Sequence, residues 1–253
     1  MAGHSKWANI KHKKAREDKI RAKVFTKHLR EITVAARESG GDPEMNPRLD
    51  TAINNAKSDN VPKDNIERAI KKGTGELDDG DARYEDATYE GYGPGGIAYF
   101  IEVTTNNYNR TVGEIRHIFT KRGGNLGTDG SVAYLFEQKG MIRVLAEDHD
   151  EEEFMLTAID AGAEDIETEE EFFTVTTARE SMYDVSDKLE EQDYEIESAE
   201  LVRIPMTEVK VEEDAAISNF KLMSAFDDND DVSNVFTNIK MDEETLAIGE
   251  AIE

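Results

Sequence analysis

The sequence has 253 residues, 56 acidic against 30 basic side chains, a formal net charge of −26 and no cysteine. The lack of cysteine excludes disulfides, thiolate nucleophiles and cysteine-ligated metals. No stretch approaches the roughly 20 apolar residues of a membrane span and the first 30 residues lack the apolar run of a secretory signal, so we expect a cytoplasmic protein of several domains without a membrane partner.

Helical periodicity dominates the beginning of the chain. Phe25, Leu29, Ile32 and Ala36 recur at spacings of three and four, which predicts a helix over residues 12–38. Asn46 and Pro47 are typical of a helix start, and they precede the apolar face Leu49, Ile53 and Ala56. A third helix is expected from near Pro62 to Gly73, with Ile66, Ala69 and Ile70 inward. Residues 1–75 therefore predict a basic domain of three helices.

Strand patterns follow a linker that is rich in glycine and aspartate. Two strands, around Thr88–Glu90 and over Ile97–Val103, flank the glycine-rich turn 91–96, which we interpret as a hairpin connection. A helix is expected over Thr111–Lys121, with a glycine-rich loop and a strand over Val132–Phe136 after it. These elements are too few for a complete sheet.

Residues 140–205 predict a second α+β unit in the order strand, helix, strand, strand, helix, strand. That order is the split βαβ, or ferredoxin-like, pattern. The chain then offers a short strand at 209–211, a helix over Glu213–Phe226 and a strand near Val235–Ile239. We expect the last elements to complete the first sheet, so that residues 82–137 and 206–242 form one discontinuous domain and residues 138–205 are inserted into it. The predicted fold class is multidomain α+β.

The charge is strongly polarised along the chain. Residues 1–30 hold ten Lys or Arg and two acids, a net of +8, whereas residues 73–253 hold 13 against 46, a net of −33. A concentrated positive segment in an anionic protein favours contact with a polyanion. The alternative is that the basic segment neutralises the acidic domains, within the same molecule or in a homo-oligomer. Trp7 lies among these cations, where it either stacks on a base or anchors a core.

The remaining motifs favour structural explanations over catalytic ones. The loop that begins at Lys121 and Arg122 and continues through Gly123–Gly127 either approaches a phosphate or ends a helix. The acidic clusters 151–153 and 227–231 lack the spacing of a calcium loop, and we interpret them as solvated helix ends and turns. No nucleophile and base are recognisable as a pair, so we expect no enzyme, no cofactor, no metal and no small-molecule substrate.

Several motifs, in order, resemble the YebC/PmpR family. They are the opening residues 1–15 with Arg16, Asp18 and Phe25, the turn 91–96, the step Asn109-Arg110-Thr111, the loop 121–127, and the segment 231–235. The resemblance implies three domains, the first helical and the other two α+β, one inserted in the other. It also implies a role in gene expression, as a DNA-binding transcriptional regulator or, as in mitochondrial and some bacterial relatives, in translation on the ribosome.

These observations predict a non-enzymatic regulator that binds nucleic acid, either DNA or ribosomal or transfer RNA, with the ribosome as a further partner. An acidic adaptor that binds a basic protein is the hypothesis from another class. The expected nucleic-acid contacts are mainly N-terminal, with weaker candidates at the helix over 111–121 and its following loop: His4, Ser5, Lys6, Trp7, Lys11, His12, Lys13, Lys14, Arg16, Lys19, Arg21 and Lys23, then Arg110, Lys121 and Arg122.

Overall fold

The structure is a computed structural model that describes residues 17–77, 83–147, 149–169 and 171–252. The chain divides into two compact units. The first comprises Met1–Lys27, Gly80–Glu137 and Ile204–Glu253, and the second comprises His28–Asp79 and Gln138–Arg203. Within the described residues, no helix is both long and apolar enough to cross a membrane.

The three predicted N-terminal helices are present. They are α1 (Glu17–Ser39), α2 (Pro47–Ser58) and α3 (Lys63–Gly73). Asn46 begins α2 as predicted, since its side chain accepts the amide of Leu49, while its own amide group donates to the carbonyls of Ala35 and Gly40. A single buried side chain therefore fixes both the end of α1 and the start of α2.

Helix α3 ends at Gly73 as predicted, and this glycine also packs closely against α1. Gly73 is the last helical residue, and a Cβ atom there would lie 2.5 Å from the carbonyl oxygen of Thr33 and 2.8 Å from the Cβ of Ala36. The glycine thus permits close contact between α3 and α1. The left-handed conformation belongs to Gly75, at φ +79°.

A four-stranded sheet forms the centre of the first unit. Strands β1 (Glu85–Tyr92) and β2 (Ala98–Thr105) are an antiparallel hairpin, as the turn 91–96 predicted, and helix α4 (Tyr108–Lys121) follows them. A two-residue strand, β3 (Asn125–Leu126), pairs with β1. After the insertion, helix α7 (Glu213–Asp227) leads to β8 (Val232–Thr237), which pairs with β2 and gives the order β3-β1-β2-β8. The prediction that the C-terminal part completes this sheet is confirmed.

The second sheet has the ferredoxin-like arrangement. Its elements are β4 (Phe136–Leu145), α5 (Glu151–Ala161), β5 (Asp165–Thr168), β6 (Phe172–Ala178), α6 (Met182–Glu190) and β7 (Ile196–Pro205). The strand order β5-β6-β4-β7 places the first and third strands of the motif at the centre. Their inward side chains, among them Val144 and Phe173, pack on Phe154 and Leu189 of the helices. The protein is therefore α+β, with an inserted ferredoxin-like unit.

Three local predictions differ from the structure. The expected strand over Val132–Phe136 is a 3₁₀ turn at Ala133–Leu135, because the amides of Val132 and Ala133 donate to the buried Glu90 carboxylate instead of to a strand. The expected strand at 209–211 is a single bridge between Val209 and Ile239. The prediction placed no element after residue 242, but α8 (Glu243–Ile252) lies there, and Leu246 packs on the core of the first unit.

Candidate nucleic-acid interface

Most of the predicted N-terminal contacts lie outside the described residues. This holds for His4, Ser5, Lys6, Trp7, Lys11, His12, Lys13, Lys14 and Arg16, and the side chains of Lys19 and Arg21 are not described either. Their contact with nucleic acid stays a prediction.

Lys23 of α1 is the first predicted contact whose side chain is described. Its ammonium group donates to the backbone carbonyl of Asp228, and it lies 3.1 Å from the Asp228 carboxylate. The Lys23 side chain is only 24% exposed, whereas that of Asp228 is 80% exposed. Lys23 therefore forms an ion pair with an acid of its own unit. Such a pair is what the alternative hypothesis predicts, in which the basic segment neutralises acids of the protein itself.

Helix α4 places the weaker candidates. Asn107 begins it, since its side chain accepts the amide of Arg110. Thr111, Ile115 and Phe119 form its buried face, and Phe119 packs against Tyr99 and Phe226 in the core of the first unit. Because the inner face is fixed by this packing, the residues on the opposite side of α4 must face solvent.

The exposed side of α4 carries cations. Gly113, Arg116, His117, Thr120 and Lys121 are exposed at helical spacings of three and four, and Arg122 follows directly. We name Arg116, His117, Lys121 and Arg122 the α4 cationic face. Arg116 and Lys121 lie about 7.5 Å apart along the helix axis, at a rise of about 1.5 Å per residue, so they can contact separate phosphates.

Acids are scarce around this face. Residues 106–122 hold four of the 13 Lys and Arg residues that follow residue 72, but only one acid, Glu114. Glu114 turns toward Arg110 and Asn229. Among the described residues, no carboxylate lies within ion-pair distance of Arg116, Lys121 or Arg122, whereas Lys139, Arg48 and Lys210 each pair with an acid. Arg116, Lys121 and Arg122 are therefore available to an external anion.

Arg110 is held by a buried carboxylate. Its guanidinium lies 2.6 Å from Asp231, which is only 4% exposed and also accepts the hydroxyls of Thr111 at 2.7 Å and Thr105 at 3.2 Å. The hydrogen bond to Asp231 is the main cause that raises the pKa of Arg110 above its ordinary value. Arg110 remains 44% exposed, so this network joins the start of α4 to β2 and the approach to β8 while part of the guanidinium still faces solvent.

The buried position of Asp231 corrects one interpretation of the acidic clusters. The segment 227–231 was expected to be wholly solvated, but Asp231 turns inward because Arg110 and two threonine hydroxyls provide it with donors. The cluster 151–153 lies in the exposed first turn of α5, where the helix dipole stabilises negative charge. No group of three or more His, Asp or Glu residues in the described part of the chain is placed to hold a metal ion.

The glycine-rich loop after α4 ends the helix. Gly123 adopts φ +78° and its amide donates to Thr120, while the amide of Gly124 donates to Phe119. The loop was expected either to approach a phosphate or to end the helix. The second interpretation explains the hydrogen bonds of both amides. Farther along, the Glu90 carboxylate accepts the amides of Gly130, Val132 and Ala133 at 2.6–2.8 Å, which ties the loop to β1. Lys121 and Arg122 consequently project from a firmly held turn.

Arg116 and His117 were missed by the sequence analysis, although the sequence contains the signal for them. Once Ile115 and Phe119 define the inner face of α4, positions 116, 117, 120 and 121 must share the opposite face. Counting charge on that face separately from the rest of the chain would have identified the cations. The fold and this surface together define a class: an anionic α+β protein that presents a basic helix to solvent.

The chain belongs to the TACO1/YebC family. Residues 5–76 match the family's N-terminal domain, and residues 84–239 match its second and third domain. The resemblance found in the sequence is therefore confirmed.

Curated relatives support the same assignment. A protein of Persephonella marina is 54% identical over 97% of this chain and 98% of its own length, and one of Geotalea uraniireducens is 52% identical with the same coverage. Both carry the name "probable transcriptional regulatory protein". The crystal structure of a conserved hypothetical protein from Aquifex aeolicus matches with a TM-score of 0.85 and 49% identity, over 94% of this chain and 97% of that one.

Proposed function

We propose that this protein is a non-enzymatic, cytosolic regulator of gene expression that binds the phosphate backbone of a nucleic acid. One observation carries the proposal: Arg116, Lys121 and Arg122 are exposed and have no carboxylate partner among the residues that the structure describes, in a chain whose net charge is −26. The basic N-terminal residues 1–30, at net +8, supply the second part of the interface. The name of the curated relatives supports the regulatory role.

The overall negative charge is compatible with this role. Fields of surface charges decay over a Debye length of about 8 Å at physiological salt, so a distant acidic surface barely weakens a local cation. Arg116, Lys121 and Arg122 therefore attract phosphate locally. The acidic surfaces repel nucleic acid from other approaches and so restrict the orientation in which it binds.

DNA is the first candidate target because the relatives are named as transcriptional regulators. Ribosomal or transfer RNA is the alternative, and one feature of the site favours it. The α4 cationic face offers charge for phosphates, and phosphate contacts position a protein without reading base sequence. Recognition of folded RNA uses shape and phosphate contacts in this way.

A charge-matched set of variants tests the proposal. We expect R116A/K121A/R122A to weaken binding to a duplex DNA or to a transfer RNA at least tenfold at about 150 mM salt, and to reduce the slope of log affinity against log salt by about 2 to 3. K11A/K13A/K14A should act likewise. The control, K210A/K221A/K240A, makes the same change in net charge at exposed lysines elsewhere and should change affinity less than about twofold.

Equal losses in the control and in the α4 variant would reject the interface, because only net charge would then matter. Absence of salt-dependent binding to DNA, to transfer RNA and to ribosomes would reject the function itself. Comparison of DNA affinity with ribosome co-sedimentation at the same salt concentration decides between the two targets.

A further inference from the structure

Helix α5 is apolar on two opposite faces. Phe154, Ala158 and Ala161 point into the core of the second unit, as expected for a helix that covers a sheet. On the other side, Leu156 is 68% exposed, Ile159 is 58% exposed and Met155 is 37% exposed. At about 100° per residue, these three residues lie on one face, roughly opposite the buried one.

The other helix of the inserted unit, α6, provides a comparison for these exposed apolar side chains. The exposed residues of α6 are Asp184, Asp187, Lys188 and Glu190, all of them charged. Single exposed apolar side chains are ordinary on protein surfaces, but three large adjacent ones, surrounded by charge, are typical of an interaction site. The exposed apolar residues of α5 therefore require an explanation, whereas the exposed charged residues of α6 do not.

The charge around this patch is negative. Glu152 lies one turn before Leu156 and Asp160 lies directly beside Ile159, and both acids are exposed. Residues 138–205 contain five Lys or Arg and 22 acids, so they contribute −17 of the net charge. Three of those cations are already engaged: Lys139 with Glu164, Arg143 with Glu197 and Lys188 with the carbonyl of Ala161. The patch is thus an apolar stripe in an anionic field.

We propose that the outer face of α5, formed by Met155, Leu156 and Ile159 with Glu152 and Asp160 beside them, docks a lysine- or arginine-rich amphipathic helix of another protein. The apolar face of such a helix covers the three exposed side chains, and its flanking cations meet the two acids. Nucleic acid and anionic membranes carry the wrong charge for this surface. A second copy, paired through the same face, would bring like charges together.

A model peptide provides the probe. The labelled peptide is a short helix of leucine and lysine with one apolar face, and the control peptide has the same composition in scrambled order. We expect the full-length protein to bind the first peptide at least tenfold more tightly at about 150 mM salt, measured by fluorescence anisotropy. The scrambled peptide retains the attraction of opposite charges but lacks the apolar stripe.

Two pairs of variants assign that binding to α5. L156S/I159S should weaken it about tenfold or more, whereas M45S/M206S, which removes two other highly exposed apolar side chains, should change it less than about twofold. E152K/D160K should also weaken it, and more than the charge-matched control E195K/E208K. All of these positions are exposed, so circular dichroism and thermal melting should show each variant folded as the parent protein is.

Equal effects of the α5 and control variants would overturn the proposal, as would equal affinity for the two peptides. Sedimentation velocity tests whether a second copy of the protein covers the patch instead. A dimer that dissociates in the L156S/I159S variant would show this and would also overturn the proposal. None of these variants changes the α4 cationic face, so nucleic-acid binding reports separately on the proposed function.

Discussion

The buried carboxylate of Asp231 should contribute more to stability than its ion pair with Arg110 alone suggests. We consider Asp231→Ala, which removes the hydrogen bonds that the carboxylate accepts from Arg110 and from the hydroxyls of Thr105 and Thr111. The Arg110 bond is shared with solvent and contributes about 0.5–1 kcal/mol. The two hydroxyls have other acceptors, because Thr111 also reaches the carbonyl of Asn107 and the two hydroxyls lie 2.7 Å apart.

Each threonine therefore exchanges a charge-assisted hydrogen bond for a neutral one, at a cost of about 1 kcal/mol. The total expected loss for Asp231→Ala is about 3 kcal/mol. Arg110→Ala should cost less, about 1–2 kcal/mol: the carboxylate loses its counter-charge, but both threonine hydroxyls still donate to it and water can enter the space of the half-exposed guanidinium. Native-state hydrogen exchange of the β2 amides in urea measures the loss of stability of each variant within the first unit. A global two-state fit of unfolding would instead mix the contributions of the two units. A loss below about 1 kcal/mol, or equal losses for the two variants, would refute the reasoning.

Two further predictions concern stability. Gly73→Ala should lower the free energy of unfolding of the second unit by about 2 kcal/mol, because the added Cβ would overlap the Thr33 carbonyl. Gly113→Ala, whose Cβ has no atom within 4 Å, should raise that of the first unit by about 0.5–1 kcal/mol. Native-state hydrogen exchange in urea follows each unit separately, and the same sign for both variants would contradict this. Burial first, and then the carboxylates of Asp50, Asp184 and Glu191, raise the pKa of Asp187. Asp187→Asn should therefore raise the free energy of unfolding by about 0.5 kcal/mol at pH 7, after allowance for solvent screening. This gain should fade as the pH drops through the raised pKa toward the ordinary value near 4, because protonation of Asp187 then removes the same repulsion. A gain that grows in acid would contradict the direction of the pKa shift.

Local signals in the sequence predicted most of the fold. Asn46 with Pro47, and the helix over Glu213–Phe226, were predictable because a cap and an apolar period act over a few residues. The ferredoxin-like order of elements followed from the spacing of apolar residues, which alternates along the chain between a period of two in strands and of 3.6 in helices. The turn at Ala133 was mispredicted because its cause, the Glu90 carboxylate, lies more than 40 residues earlier in the chain. Alternation marks Glu90 as an ordinary strand residue, and only tertiary contact buries it.

The candidate site was less accessible to sequence reasoning. Net charge identified the N-terminal segment, and composition identified Lys121 and Arg122, but neither distinguishes a paired cation from an available one. Lys23 and Arg110 are both paired with acids more than 100 residues away, Asp228 and Asp231. Arg116 was overlooked because its significance lies in which face of α4 it occupies.

The pairing of β2 with β8 has a consequence for biosynthesis. The register joins Tyr99 to Thr237, so residues up to at least 237 must leave the ribosome before this edge of the first sheet is covered. The inserted unit, which is continuous from Gln138 to Arg203, can condense earlier. Until β8 arrives, the apolar strand β2 presents open backbone groups to other nascent chains. Slow elongation through the codons for residues 204–237 should therefore favour co-translational aggregation of this protein.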